Sequence, residues 1–537
     1  MVALLLRSLL KMRLNATRLG SIASSRSFGD QLDDLAGQVP NLDLNFAQNK
    51  SLIDDYSGTT LVTFTRASSG TFVGSDGLIK TAVTNLLLRS EEFDNASWTK
   101  TRSSVTANAI AAPNGTLTGD KLIDSTDASA SHFISQSISF VSGTTYTVSI
   151  FAKQDEIRYL RLGFNATPFG TTQIVFFDLL NGVISSNPNA LAASITDAGN
   201  GWWRLAVTAT ATVTASDLIL ISLSSNGTSI SFTGTGTNGI YLWGAQLEQS
   251  STVGEYIPTT STINSAPRFD HNPTTGESLG LLVEEARTNL LLNSATLSTQ
   301  SVTVAAAANT LSFYGTGTVT LTGVSTAGPL VGTGANNRVS LTFTPTVGVL
   351  ILTVSGSVTS AQLEAGAFAT SYIPTTTATA TRAADVASIT GTNFSSWYRQ
   401  DEGTIFVEGA TSASTASPIL FQADDGTANE RIQVRRNGTT NASSLLVTDG
   451  GTTQANFSVT GYNANTIGKT CAVYSLNDFQ LSFNGTLGTA DTSGTLPTVD
   501  RAFIGSASSP VYANGPIKRL TYWPTRLGNE VLQRITQ

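Results

Sequence analysis

Cysteine is almost missing. Cys471 is the single one in 537 residues, so no disulfide closes within the chain. A large β-rich protein without disulfides fits assembly in a reducing cytoplasm. Histidine occurs only as His132 and His271, far apart in sequence, and nothing joins them to Cys471 as a nucleophile pair. Charged residues are 12% of the chain and the net charge is -7, which excludes nucleic acid as an electrostatic partner. No apolar run approaches the ~20 residues that span a bilayer, so no membrane span is expected. There is no Gly-x-Ser-x-Gly elbow, no phosphate loop and no clustered metal-ligand spacing.

What the chain does have is short runs of alternating residues between Gly, Asn and Ser. Tyr146-Thr147-Val148-Ser149-Ile150-Phe151 is one, and Phe479-Gln480-Leu481-Ser482-Phe483 another. The second ends in Asn484-Gly485, a hairpin signal. Low charge with many Thr, Val and Ile favours strands, and many short strands with turn signals indicate sandwiches or jelly rolls. The length suggests roughly three to five domains.

Two phrases recur. Thr84-Asn85-Leu86-Leu87-Leu88-Arg89-Ser90 returns as Thr288-Asn289-Leu290-Leu291-Leu292-Asn293-Ser294. Ala245-Gln246-Leu247-Glu248 leads to Tyr256-Ile257-Pro258-Thr259-Thr260, and Ala361-Gln362-Leu363-Glu364 leads to Tyr372-Ile373-Pro374-Thr375-Thr376 at the same offset. Such internal repetition marks two modules sharing their first and last strands. The expected division is a basic arm over 1–28, a β-rich lead-in over 29–84, a long jelly-roll module over 85–262, return strands of the lead-in over 263–288, a reduced β-sandwich over 289–378 and a terminal sandwich over 379–537. The long module should interrupt the lead-in, whose strands before 84 and after 264 pair with each other. The fold class is all-β and multi-domain, with a short helical N-terminal arm.

That arm carries Arg7, Lys11, Arg13, Arg18 and Arg26 with no acid before Asp30. A transit sequence and an arm that docks on another protein both fit this composition. Glu284 and Glu285 precede Arg287, and a Glu–Arg pair pinning the second module to the lead-in is expected rather than a catalytic carboxylate pair. Asp424-Asp425-Gly426 reads as a turn and Cys471 as a core filler.

The run Asn85-Leu86-Leu87, Phe93, Trp98, the Tyr146 strand, Gly201-Trp202-Trp203-Arg204 and the 243–248 strand resemble jelly-roll carbohydrate-binding modules of families four and nine. The 405–408 strand, the 479–485 hairpin and the closing 515–522 strand resemble concanavalin A-like or laminin-G-like sandwiches. Phe64-Thr65-Arg66-Ala67-Ser68-Ser69-Gly70-Thr71-Phe72-Val73, Pro267-Arg268-Phe269-Asp270-His271-Asn272-Pro273 and the 280–291 stretch are similar to phrases of tailed-bacteriophage virion proteins. This resemblance implies a virion fibre or spike, assembled in the host cytoplasm and homotrimeric. It would attach to other virion proteins through residues 1–40 and bind host surface glycans without being an enzyme. A purely structural capsid or tail decoration protein is the first alternative, and a polysaccharide depolymerase the second.

Aromatic faces stack on sugars while polar neighbours fix hydroxyls. Trp202, Tyr159 and Trp243 are the candidate ligand-binding residues. Trp202 and Trp203 are adjacent, so on a strand they face opposite sides. Alternation with Leu205 and Val207 puts Trp203 in the core and leaves Trp202 free. The competing reading is that packing covers both, since Trp is highly buried on average. The resemblance also implies a structural Ca2+ between first and last strands, with Glu91, Asp94 and Glu248 as candidate ligands; calcium wants six to eight oxygens. The sequence departs from that pattern at Trp243-Gly244, and solvated carboxylates are the other reading. No other cofactor is expected.

Overall fold

The computed structural model describes residues 31–508 and 511–537. The basic arm expected over 1–28 lies outside the described residues. The described chain is almost entirely strand, and it divides into two compact units. One holds residues 66–69 and 81–266; the other holds the rest of the described chain.

The first unit is a sandwich of two six-stranded sheets. One sheet runs in the order Val183–Ser186, Gln173–Asp178, Tyr159–Phe164, Ala215–Ser224, Phe133–Phe140, Thr99–Thr101. The other runs Ala192–Asp197, Trp202–Thr210, Thr145–Gln154, Gly239–Glu248, Gly119–Asp124, Ser103–Ile110. Alternate residues of both sheets, among them Leu160, Leu162, Val148, Ile150, Ile219 and Leu242, fill the core between them. The unit is entered and left side by side, because Thr84–Asn85 pairs antiparallel with Asn264–Ser265.

The second unit contains two sandwiches. The smaller packs a four-stranded sheet (Gln300–Val304, Gly348–Ser355, Thr318–Gly323, Leu330–Val331) on a three-stranded one (Gly334–Phe343, Asn309–Gly315, Val358–Ala365). Leu291, Leu311, Phe313, Val319 and Leu363 are in its core. Its entry and exit also adjoin, as Arg287–Asn289 pairs with Ala380–Arg382.

The expected pairing of strands before 84 with strands after 264 is present at Thr84–Asn85 and Asn264–Ser265, and Thr71–Val73 pairs with Ile79–Thr81, but other strands of the lead-in join the larger sandwich. Leu42–Leu44 pairs with the closing strand Gly515–Trp523, with Leu42 opposite Tyr522. Thr63–Thr65 pairs with Val386–Thr390. Ser278–Val283 pairs with Gly515–Trp523 as well. Leu42–Leu44, Thr63–Thr65, Phe269–His271 and Ser278–Val283 therefore belong to the two sheets of the terminal sandwich, and their apolar faces join its core. Leu42, Leu44, Phe64, Leu281 and Val283 lie in one cluster with Ile405, Leu445 and Leu481. The two segments do touch each other, since the Val73 amide donates to Asp270 Oδ1 at 2.7 Å.

The hairpin at Asn484-Gly485 forms as its sequence implies: both residues have positive φ, 44° and 78°, as the tight two-residue turn requires. The helix Asn529–Thr536 closes the chain and packs on the outside of the eight-stranded sheet, where Leu532 and Ile535 meet Phe406, Cys471 and Trp523. The helix Gln31–Ala36 adds Leu32 and Ala36 to that cluster, and the Trp523 indole donates to Gln38 O. So the part of the expected docking segment that the structure describes is bound into the protein's own fold.

Candidate functional site

The repeated phrases build the same hydrogen-bonded clasp twice. Asn85 is buried and its side chain makes four hydrogen bonds. It donates to Ala245 O at 3.0 Å and Ile257 O at 2.8 Å, and accepts from the Leu87 and Leu247 amides, both at 3.1 Å. Asn289 repeats this with Ala361 O, Ile373 O, Leu291 and Leu363 at 3.0, 2.8, 3.1 and 3.1 Å. Ser90 meets the Tyr256 hydroxyl at 2.6 Å, and Ser294 the Tyr372 hydroxyl at 2.7 Å. Gln246 accepts from the Ile257 amide and donates to Glu248, as Gln362 does with Ile373 and Glu364. The clasp ties first strand, last strand and the following loop of each module together. Its residues are polar because they replace a ladder that these short, bent segments cannot form by backbone alone.

The candidate calcium ligands lie in and beside this clasp. Glu248 is buried and gives Oε1 to the Gly254 amide at 2.8 Å and to Gln246. Glu91 accepts from the Tyr256 hydroxyl at 3.1 Å. Burial pushes its carboxyl up, against the hydrogen bonds from Tyr256 and Trp243. Asp94 is exposed. Among the described residues no group of three His, Cys, Asp or Glu is placed to hold a metal ion. Glu91, Asp94 and Glu248 are thus not gathered into one such group; Glu91 and one oxygen of Glu248 accept from the protein's own donors, while Glu248 Oε2 is buried without a hydrogen-bond partner.

The tryptophans also need correcting. Trp203 is on the core side, as alternation implies, and packs against the long module's core. Trp202 faces outward but is only 1% exposed. Trp243 beside it is 5% exposed. The loop over 111–118 lies on both: Trp202 Nε1 donates to Ala111 O at 3.2 Å, and Trp243 Nε1 to Thr118 Oγ1 at 3.0 Å. Tyr256 closes the other side, its ring 4.7 Å from that of Trp243. Gly244 has φ 62°, and a Cβ there would stand 3.0 Å from Phe151. It makes the bulge that lets Trp243 face out while Ala245 returns to the core. The Trp243-Gly244 departure is therefore a packing device.

Tyr159 is different. It starts the strand Tyr159–Phe164, whose Leu160, Leu162 and Phe164 enter the core. Tyr159, Arg161 and Gly163 consequently face outward. The register sets Arg161 opposite Phe176 on one side and Ser222 on the other, with Phe133 opposite Ser222 beyond. Leu220 and Ser135 form the adjacent row. Tyr159 and Phe133 are half-buried, Ser137 is exposed, and Arg161 is 7% exposed. This face thus joins rings, hydroxyls and one guanidinium, with Tyr159 and Phe133 half-buried above buried Ser135, Ser222 and Phe176. Arg161 escapes a search for aromatic residues. Its signal is a lone charge at an outward position between Leu160 and Leu162. A separate hollow of about 570 Å³ on the terminal sandwich is lined by Phe394, Tyr398, Asp500 and Arg501. Its cation is already matched, as Arg501 pairs with Asp500 at 2.7 Å.

Fold and clasps together define an all-β protein of β-sandwich modules, one of them repeated in shortened form. No family model matches the chain, and no curated protein matches it. Among solved structures, it is similar to the Ruminococcus gnavus IT-sialidase CBM40 bound to alpha2,3 sialyllactose, at 16% identity and a TM-score of 0.23 over 26% of this chain and 83% of that one. It is similar to the NanB sialidase of Streptococcus pneumoniae at 14% identity and a TM-score of 0.24, over 27% of this chain and 26% of that one. Domain 4 of AbnA, a GH43 extracellular arabinanase of Geobacillus stearothermophilus, in complex with arabinotriose, matches at 10% identity and a TM-score of 0.24, over 29% of this chain and 73% of that one.

Proposed function

We propose that the protein is a non-enzymatic fibre or spike of a tailed-bacteriophage virion, and that its long module binds host surface glycan on the outer face around Tyr159. The observation that carries the binding half is that face: two half-buried rings, Tyr159 with Arg158 over it at 5.1 Å and Phe133, beside the exposed Ser137 hydroxyl and above buried Ser135 and Ser222. Stacking surface beside hydroxyl partners is what a sugar ring requires. The virion half is supported by the phrases 64–73, 267–273 and 280–291. They hold the joints of the fold, including buried Arg66, Arg268 and Glu284. A homotrimer would raise weak single-site affinity through effective concentration.

The test is a glycan array with the full-length protein, its Tyr159→Ala variant and its Trp202→Phe variant. Wild type and Trp202→Phe should retain glycan, and Tyr159→Ala should lose it. Retention by Tyr159→Ala would overturn the site. Degradation of polysaccharide by the purified protein would overturn the non-enzymatic reading. Immunogold labelling of intact particles tests the virion assignment.

The burial of Trp202 and Trp243 favours a second reading, a decoration protein whose sandwiches bind only protein neighbours. It predicts an array with no retained glycan and the same particle labelling.

A further inference from the structure

We propose that Arg161 receives the carboxylate of an acidic sugar, so that the long module selects uronate- or sialate-bearing glycans over neutral ones; this rests on the glycan-binding reading of the same face. Six arginines are buried among the described residues: Arg66, Arg161, Arg268, Arg382, Arg436 and Arg519. Arg268, Arg382 and Arg519 are ion-paired. Arg268 has Glu284 and Asp385, Arg382 has Glu284, and Arg519 has Asp43. Arg436 donates to Thr411, Asn441 and the carbonyls of Ser412 and Ser414. Arg66 donates to the carbonyls of Ser68 and Ala266.

Arg161 has one neutral hydroxyl, Ser222 Oγ at 3.0 Å, and its buried Nε has no hydrogen-bond partner. The neighbouring carboxylate on its face, Asp178, is already committed. Arg158 holds it in both oxygens at 2.7 and 2.5 Å, and Asn181 donates to it at 3.0 Å. Burial pulls the Arg161 guanidinium down to about 10, with no acid to counter it.

A buried cation without a counter-ion is costly unless something outside the chain supplies one. The guanidinium fork matches a carboxylate in two parallel hydrogen bonds. Phe133, one strand beyond Ser222, and the edge of Tyr159, whose ring lies under Arg158, offer apolar surface to the ring that carries that carboxylate. A sugar acid satisfies both features in one ligand, whereas a neutral sugar leaves the charge unmatched.

The experiment measures binding of the full-length protein to immobilised oligosaccharides ending in glucuronate, in its methyl ester, in sialate and in glucose. Wild type should bind the two acids at least tenfold more tightly than the ester or glucose. Arg161→Gln should lose that preference, and its thermal midpoint should not fall. Equal wild-type binding to acid, ester and glucose would overturn this inference and leave the glycan reading standing. Binding to none of them, with a blank array, would overturn both. Retained preference in Arg161→Gln would place acid recognition elsewhere. The ester comparison uses wild type alone, so it decides the matter even where the variant fails to fold.

Discussion

The duplicated clasp offers the sharpest test of how these modules are held. Asn85→Ala removes four side-chain hydrogen bonds and strands the carbonyls of Ala245 and Ile257 and the amides of Leu87 and Leu247. At ~1 kcal/mol net for each bond, the loss is about 4 kcal/mol, and more where a stranded group stays dry. At 1.4 kcal/mol per tenfold, that is roughly a thousandfold. Hydrogen exchange on the full-length protein reads it locally. Peptides covering 243–249 should lose up to that factor of protection in Asn85→Ala, and peptides covering 359–365 should not change. Asn289→Ala should do the reverse, because its core is separate. Asn85→Asp keeps both accepted bonds but sets a carboxylate against two carbonyls, so it should cost at least half as much. Less than a tenfold change in either alanine variant would refute the clasp as the joint. So would equal loss in both modules.

Three further outcomes follow from buried titratable groups. Burial alone would raise the Glu284 carboxyl, but Arg382 and Arg268 hold it at about 2 against an ordinary 4.5. Its contribution is present above pH 4.5 and lost as pH falls toward 2; it amounts to about 3 kcal/mol, measured as a falling urea midpoint. Asp270 behaves oppositely: burial lifts it to about 6 from 3.8, despite the Val73 amide bond. Asp270→Asn should therefore gain about 3 kcal/mol at pH 7.5 and nothing at pH 3, by the same urea titration. Burial also pushes the Cys471 thiol well up. A thiol reagent such as DTNB should leave the native protein unlabelled and label one site per chain in denaturant.

The clasps are legible in sequence because the same polar residues recur at matched offsets. Asn, Gln, Glu, Tyr and Thr each serve the same partner in both copies. Strands are legible from alternation, but their partners are not. Leu42 and Tyr522 pair across nearly the whole chain, and nothing local in either phrase names the other. That is why Leu42–Leu44 and Thr63–Thr65 look like part of an independent sheet when they complete the terminal sandwich. The alternation around Trp202 and Trp203 assigns faces correctly. Exposure depends instead on the 111–118 loop, whose resting place is a tertiary matter. Glu248 illustrates a related limit, since a carboxylate that caps a loop amide and one that binds a cation look alike in sequence. Arg161 needed no more than its place between two core leucines, yet a lone arginine acquires meaning only once the missing counter-ion is seen.

Both modules begin and end on paired strands, Thr84 beside Ser265 and Arg287 beside Arg382. Antiparallel partners stand ~5 Å apart, so each module is a detour that leaves the backbone almost where it departed. Recombination can therefore exchange the whole 86–263 stretch for any domain whose ends lie equally close. The splice would leave intact the strand pairs that build the terminal sandwich. Such a graft would change whatever the long module binds in one event. The protein that presents the module need not be reinvented.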